Sequence, residues 1–121
     1  MIKKTITYTD YNGMERTEDF YFHLSKPELM ELELTTEGGL ANKINKIIAS
    51  NNAPEIIKTF KEIIQKSYGV KSDDGRRFMK SDDLFRNFAE TEAYSLLYIE
   101  LATNAELASK FINGIIPQSN K

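Results

Sequence analysis

The sequence predicts an α+β fold, predominantly α, in which an N-terminal β-hairpin packs on a bundle of about five helices. Three observations carry this. Two early stretches alternate apolar and polar residues around an Asn-Gly pair, three later stretches open with the same helix-start pattern, and the apolar residues that follow recur every three or four positions.

Ile2 to Thr9 alternates β-branched or aromatic residues with polar ones, and Met14 to Leu24 does so again. Between them, Asn12-Gly13 supplies the positive φ values that a tight hairpin turn needs. A regular strand puts Phe20 and Phe22 on one face and Tyr21 and His23 on the other. A lone hairpin is marginal in water, so one of those faces must lie on helices.

The helix starts read Ser25-Lys26-Pro27-Glu28, Asn52-Ala53-Pro54-Glu55 and Thr103-Asn104-Ala105-Glu106. Each is a side-chain acceptor followed three residues on by Glu, which caps free N–H groups, and two carry Pro in the tolerant first turn. The first helix spans about Pro27 to Thr35 and is expected to bury Leu29 with Leu32 and Met30 with Leu34, until Gly38-Gly39 ends it. Leu40, Ile44, Ile47 and Ile48 form the stripe of the next helix. Ile56, Ile57, Phe60, Ile63 and Ile64 form that of a third, entered through Asn51-Asn52 and closing at Tyr68-Gly69.

A short second hairpin or flap is expected near residues 70–80, turning at Asp74-Gly75. Ser81-Asp82-Asp83 then places acids at the positive end of a helix whose stripe is Leu84, Phe85, Phe88, Leu96, Leu97 and Leu101. The sequence leaves open a break near Thr91. The last helix runs from about Asn104 to Asn113, presenting Leu107, Ala108, Phe111 and Ile112, with Gly114 as its C-cap. At 121 residues the chain supports one core, so residues 1–117 are expected to form a single domain, hairpin 1–24 and helical part 25–116, followed by a flexible polar tail at 118–121.

Composition then removes whole classes of function. A net charge of −2 with mixed acids and bases, and an acidic cluster at Glu28, Glu31, Glu33 and Glu37, argues against a nucleic-acid surface. Without cysteine there is no thiolate nucleophile, disulfide framework or sulfur-ligated zinc site, which suits a reducing cytosol. No long apolar run marks a membrane span, and Met1-Ile2-Lys3-Lys4 leads straight into the strand pattern instead of a signal peptide.

The candidate chemistry mostly dissolves into structure. His23 is the sole histidine, but no Ser, Cys or Asp arrangement orients it as a base, so it is read as structural. Asp73-Asp74-Gly75 with Asp82 and Asp83 lacks the alternating ligands and closing Glu of a calcium loop, and a turn accounts for it better. Gly38-Gly39 is not followed by the Lys-Ser or Lys-Thr of a phosphate loop.

Two features fit a protein partner. Arg76-Arg77-Phe78 sets two guanidinium groups beside an aromatic ring and can grip a carboxylate-rich or π-bearing surface. The blander reading, preferred from sequence, pairs both arginines with Asp73, Asp74, Asp82 or Asp83 and turns Phe78 inward. Tyr94 and Tyr98, four apart on a helix, form either a half-buried stripe for a partner or the edge of the core. Physical reading alone therefore reaches a non-catalytic, protein-binding helical domain with no cofactor and no metal.

The order and spacing of several motifs add to this. Tyr11-Asn12-Gly13, Phe20-Tyr21-Phe22, Leu24-Ser25-Lys26-Pro27-Glu28-Leu29, Gly38-Gly39-Leu40, Tyr68-Gly69, Asp74-Gly75-Arg76-Arg77-Phe78, Lys80-Ser81-Asp82, Thr91-Glu92-Ala93-Tyr94 and Phe111-Ile112-Asn113-Gly114-Ile115-Ile116-Pro117 span nearly the whole chain. Together they make it resemble the tail assembly chaperones of long-tailed bacteriophages. The resemblance implies a non-enzymatic protein of the host cytoplasm that coats the tape measure protein, recruits tail tube subunits and leaves before the virion is complete. It implies further that the chain is the short form of a pair made by ribosomal frameshifting, with an extension attaching after Pro117, and that copies self-associate. Its partners would be the tape measure and tail tube proteins, with no nucleic acid and no membrane. The rival reading is a small structural phage protein, such as a tail completion or head-tail connector component, retained in the particle.

Overall fold

A computed structural model of the chain describes residues 1–35 and 38–115. Strands β1 (Ile2–Thr9) and β2 (Glu15–Phe22) are followed by helices α1 (Lys26–Thr35), α2 (Leu40–Ser50) and α3 (Ala53–Ser67). Strands β3 (Tyr68–Lys71) and β4 (Phe78–Met79) come next, then helices α4 (Asp82–Ala89), α5 (Glu92–Thr103) and α6 (Ala105–Ile115). The α+β, mostly helical class expected from the pattern is what the chain adopts. The second hairpin also exists, but it is not a separate flap: β3 pairs with β2, so all four strands form one antiparallel sheet in the order β1-β2-β3-β4.

The hairpin turn differs in type from the expected one. Only Gly13 has a positive φ (83°); the Gly13 N–H donates to the Asp10 carbonyl and the Asp10 N–H to the Met14 carbonyl, giving a longer turn closed by a left-handed glycine. The Asp10 side chain explains the preference, since its Oδ1 accepts from the Asn12 and Met14 N–H groups at 2.9 and 3.0 Å.

Alternation along β1 buries Ile6 and Tyr8, and β2 contributes Phe22 with Leu24 just beyond it. These meet Phe60 and Ile64 of α3, Phe88 of α4, Leu97 and Leu101 of α5, and Phe111 and Ile115 of α6. Phe22 sits among aromatic rings, 5.7 Å from Tyr68, 5.8 Å from Phe88 and 5.2 Å from Phe111, while Tyr68 stacks on Phe88 at 4.5 Å.

Helix starts follow the sequence closely. The Ser25 N–H donates to Glu28 Oε1 while the Glu28 N–H donates to Ser25 Oγ, both arms of the expected capping box. Asn52 and Ser81 cap α3 and α4 through the Glu55 and Leu84 N–H groups. At α6 the cap is one residue later than expected: Asn104 Oδ1 accepts from the Leu107 N–H, while the Thr103 hydroxyl turns back to the Ile99 carbonyl at the end of α5. Thr91 breaks the long fourth pattern, giving six helices among the described residues; its hydroxyl donates to the Phe88 carbonyl and accepts from the Tyr94 N–H.

Several expectations need correction. Tyr68 closes α3 as expected, its N–H donating to the Ile64 carbonyl, but it does so as extended backbone and also opens β3, pairing with Phe22, so no left-handed glycine ends the helix. Gly114 lies inside α6, where a Cβ would come within 2.9 Å of Ile2, so the residue serves close helix–strand packing and not a helix end. On α1, Leu29 and Leu32 turn to the core, but Met30 and Leu34 are 63% and 83% exposed, since this peripheral helix has only one covered face. Leu96, placed in the buried stripe of α5, is 48% exposed. The side chains of Leu40 and Ile48, together with Glu37 and the tail from Pro117, lie outside the described residues.

Candidate partner-binding surface

Between β3 and β4 the chain makes a tight loop at Ser72–Arg77. The Gly75 N–H donates to the Ser72 carbonyl, Gly75 takes φ 76°, and Asp74 Oδ1 accepts from both the Ser72 hydroxyl at 2.7 Å and the Arg76 N–H at 3.0 Å. These donors hold the Asp74 carboxyl below the usual carboxylate range, the Ser72 hydroxyl foremost. One oxygen of the carboxylate is thereby engaged within the loop, as the turn reading of Asp74-Gly75 expects.

The same geometry overturns the local pairing expected for the arginines. Asp74 is turned to backbone, Asp83 lies 3.5 Å from Arg86, and neither Arg76 nor Arg77 has an ion-pair partner among the described residues. Both are exposed at the loop. Phe78 does turn inward, as the blander reading had it. Its ring packs over Gly69 and meets the His23 imidazole edge-on at 5.9 Å.

His23 lies beside this junction. Its backbone N–H donates to the Ser67 carbonyl, and its Nδ1 is buried with no hydrogen-bond partner among the described residues. Burial, then the charges of the N-terminal amine and Lys80, lower its pKa below 6.5, with Glu28 acting weakly the other way. Lys80 itself donates to both Glu28 carboxylate oxygens, at 2.7 and 2.9 Å, and to the Lys66 carbonyl. Burial of Glu28 raises its pKa, but these bonds and the Ser25 N–H outweigh it and leave the carboxyl lowered.

A depressed histidine pKa contributes stability that is present above the unfolded value of 6.5 and is lost as pH falls from there through the folded value. Urea unfolding at about pH 7.5 and about pH 5.5 should therefore show a larger loss of stability for the native chain than for His23→Gln. Equal losses in the two proteins would sink this assignment.

Tyr94 and Tyr98 are half-buried with ring centroids 5.6 Å apart. Tyr94 stands edge-on to Phe85 and Phe88, and the Tyr98 hydroxyl donates to the Ile57 carbonyl of α3. Burial, and then Tyr98, raise the Tyr94 pKa, so this ring stays a neutral phenol with an apolar body. The two tyrosines line an open groove of about 490 Å³ together with Lys61, Phe85, Ala89, Ser95 and Ile99. No residue of the Ser72–Arg77 loop lines it, so the five sequence candidates fall into two separate places, the groove (Tyr94, Tyr98) and the loop with its flank (Arg76, Arg77, Phe78).

What the sequence reading missed is the rest of this face. Ile99, which lines the groove, is 58% exposed, and outside the groove Ile57 of α3 and Leu96 of α5 are exposed as well. The signal was present in α5 itself. Its apolar residues Ala93, Tyr94, Leu96, Leu97, Tyr98, Ile99 and Leu101 run round the helix instead of down one side, while only Ala93, Leu97 and Leu101 are buried. A helix apolar all round is ordinarily covered all round.

A larger groove of about 710 Å³ lies between α1, α3 and the start of α4, but its walls mix Glu28, Glu31, Glu62, Lys66, Lys80 and Asp82 with Leu32 and Phe85. The Lys80–Glu28 bridge crosses it, and that bridge is already explained by the packing of three chain segments.

Among protein families, a model described as phage tail assembly chaperone matches residues 1–120. No curated protein and no solved structure matches the chain.

Proposed function

The chain belongs to the phage tail assembly chaperone family, and from that premise we propose that it binds the tape measure protein through the apolar face of α5 and recruits tail tube subunits to it. A tail assembly role follows from membership, and the family is of a non-enzymatic kind. The observation that supports the finer reading is the uncovered side of α5, where Tyr94, Tyr98 and Ile99 border a groove of about 490 Å³.

An elongated helical client presents apolar side chains at intervals, and many shallow grooves of this size hold it by repeated weak contacts without any tight individual site. Tyrosine suits such a site because it offers apolar area with a polar tip. Arg76 and Arg77, with Phe78 behind them, supply a second contact for carboxylates on the client or on a tube subunit. The complex forms in the host cytoplasm during infection, and the chaperone is absent from the mature virion.

Co-expression with the tape measure protein tests this. The expected result is a soluble complex on gel filtration, lost or weakened at least about tenfold in Ile99→Glu, which places a charge in the groove. A client whose solubility and elution are unchanged by the native chain would refute the proposal. Mass spectrometry of purified virions should find the protein missing; stoichiometric presence would favour a retained structural component.

A further inference from the structure

We infer that the groove on α5 continues past Phe85, between α3 and α4, into the acidic groove beside α1, so that the segment it holds is an amphipathic helix with lysines or arginines at one end of its apolar stripe. The inference rests on the client reading and deepens it by naming the chemistry of the segment bound.

Side chains of α3 and α4 carry the continuity. Phe85 of α4 borders both the groove of about 490 Å³ at Tyr94, Tyr98 and Ile99 and the larger one of about 710 Å³. Its ring packs against the core and stands edge-on to Tyr94, so it is a fixed apolar surface common to the two. On α3, consecutive residues take the two sides, Lys61 lining the first groove and Glu62 the second.

The two halves differ in charge. Among the described residues lining the first, Lys61 is the one charged side chain. The second is lined by four carboxylates, Glu28, Glu31, Glu62 and Asp82, against two lysines, Lys66 and Lys80. Lys80 is already bound to Glu28 at 2.7 Å, and the start of α4 adds only roughly half a positive charge. The balance stays negative. Glu62 and Asp82 are exposed, and neither has an ion-pair partner among the described residues.

A cationic end is what this half can hold. Leu32 and Phe85 offer apolar surface to the stem of a lysine or arginine, while Glu62 and Asp82 face its charged head. An acidic segment is repelled there by like charge, so the charge difference also fixes which way the client lies: its uncharged or acidic end over Lys61 and Tyr98, its basic end beside α1. Exposed ion pairs each contribute little, so the discrimination expected is modest and falls with salt.

Two synthetic helical peptides test this, sharing one apolar stripe and differing only beyond one end of it, lysines in one and glutamates in the other. Titrated at low salt, the native chain should bind the lysine peptide tighter by roughly threefold to tenfold. Glu62→Gln/Asp82→Asn should bind both alike, whereas Glu15→Gln/Glu106→Gln, which removes the same charge outside both grooves, should keep the preference. If the first double variant does not fold, Glu62→Gln alone, on the exposed side of α3, should reduce the preference. Ile99→Glu should weaken binding of both peptides. Equal affinity of the native chain for the two peptides would overturn the inference, as would a lysine preference that survives Glu62→Gln/Asp82→Asn or is lost equally in Glu15→Gln/Glu106→Gln; in each case the Ile99→Glu loss leaves the α5 reading standing. A native chain that binds neither peptide would overturn both.

Discussion

Phe22→Ala is expected to remove about 4 kcal/mol of folding stability, the upper range for emptying a packed aromatic site. The side chain is 0% exposed and is the point where the sheet meets α4 and α6, with Tyr68, Phe88 and Phe111 all within 5.8 Å between ring centroids. Those rings cannot all relax into the void, because Tyr68 is stacked on Phe88 and Phe88 is held edge-on by Tyr94. Since an ordinary small protein has only about 5–15 kcal/mol in hand, the variant should be largely unfolded at moderate urea or elevated temperature. Urea unfolding followed by circular dichroism measures it. A loss below about 1 kcal/mol would mean the aromatic cluster is not the keystone it is taken to be.

Gly69→Ala should come next in size, at about 3 kcal/mol, from overpacking and not from backbone strain. A Cβ there would lie 2.5 Å from Phe78 Cε2 and 2.8 Å from the Met79 carbonyl oxygen. The ring could swing away at the expense of its contact with His23; the carbonyl belongs to the paired strand and cannot. The expected outcome is a sheet that loses β4 and frees the Arg76-Arg77 loop, seen as faster amide exchange at Val70 and Lys71. Unchanged exchange with native stability would contradict it.

How much of this was readable in advance depended on sequence distance. Caps were legible because their partners lie three residues away: Ser25 with Glu28, Asn52 with Glu55, Ser81 with Leu84. The β1–β2 hairpin was legible for the same reason. The β2–β3 pairing was not, since nothing local in Tyr68-Gly69 distinguishes a helix end from a strand that finds Tyr21 and Phe22 across three helices. Likewise Met30, Leu34 and Leu96 look like core in a list of apolar residues, and only tertiary packing shows them open. At the candidate surface, the tyrosine pair was visible by its spacing, whereas Lys61 and Phe85 reach the groove from α3 and α4, and nothing in their own segments places them there.

That distant pairing sets an order of events for the folding chain. The front hairpin closes a short loop and can form within its own segment, but Phe22 meets Tyr68 only after α1, α2 and α3 have been threaded between them. Closing so long an intervening segment is slow compared with forming a helix or a hairpin. Until it happens β2 is an edge too, and Phe22 has neither Tyr68 nor Phe111 against it. A chain emerging from the ribosome therefore carries a hairpin open on both sides through the synthesis of everything up to Lys71, and the sheet is finished from the middle of the sequence, not from its start.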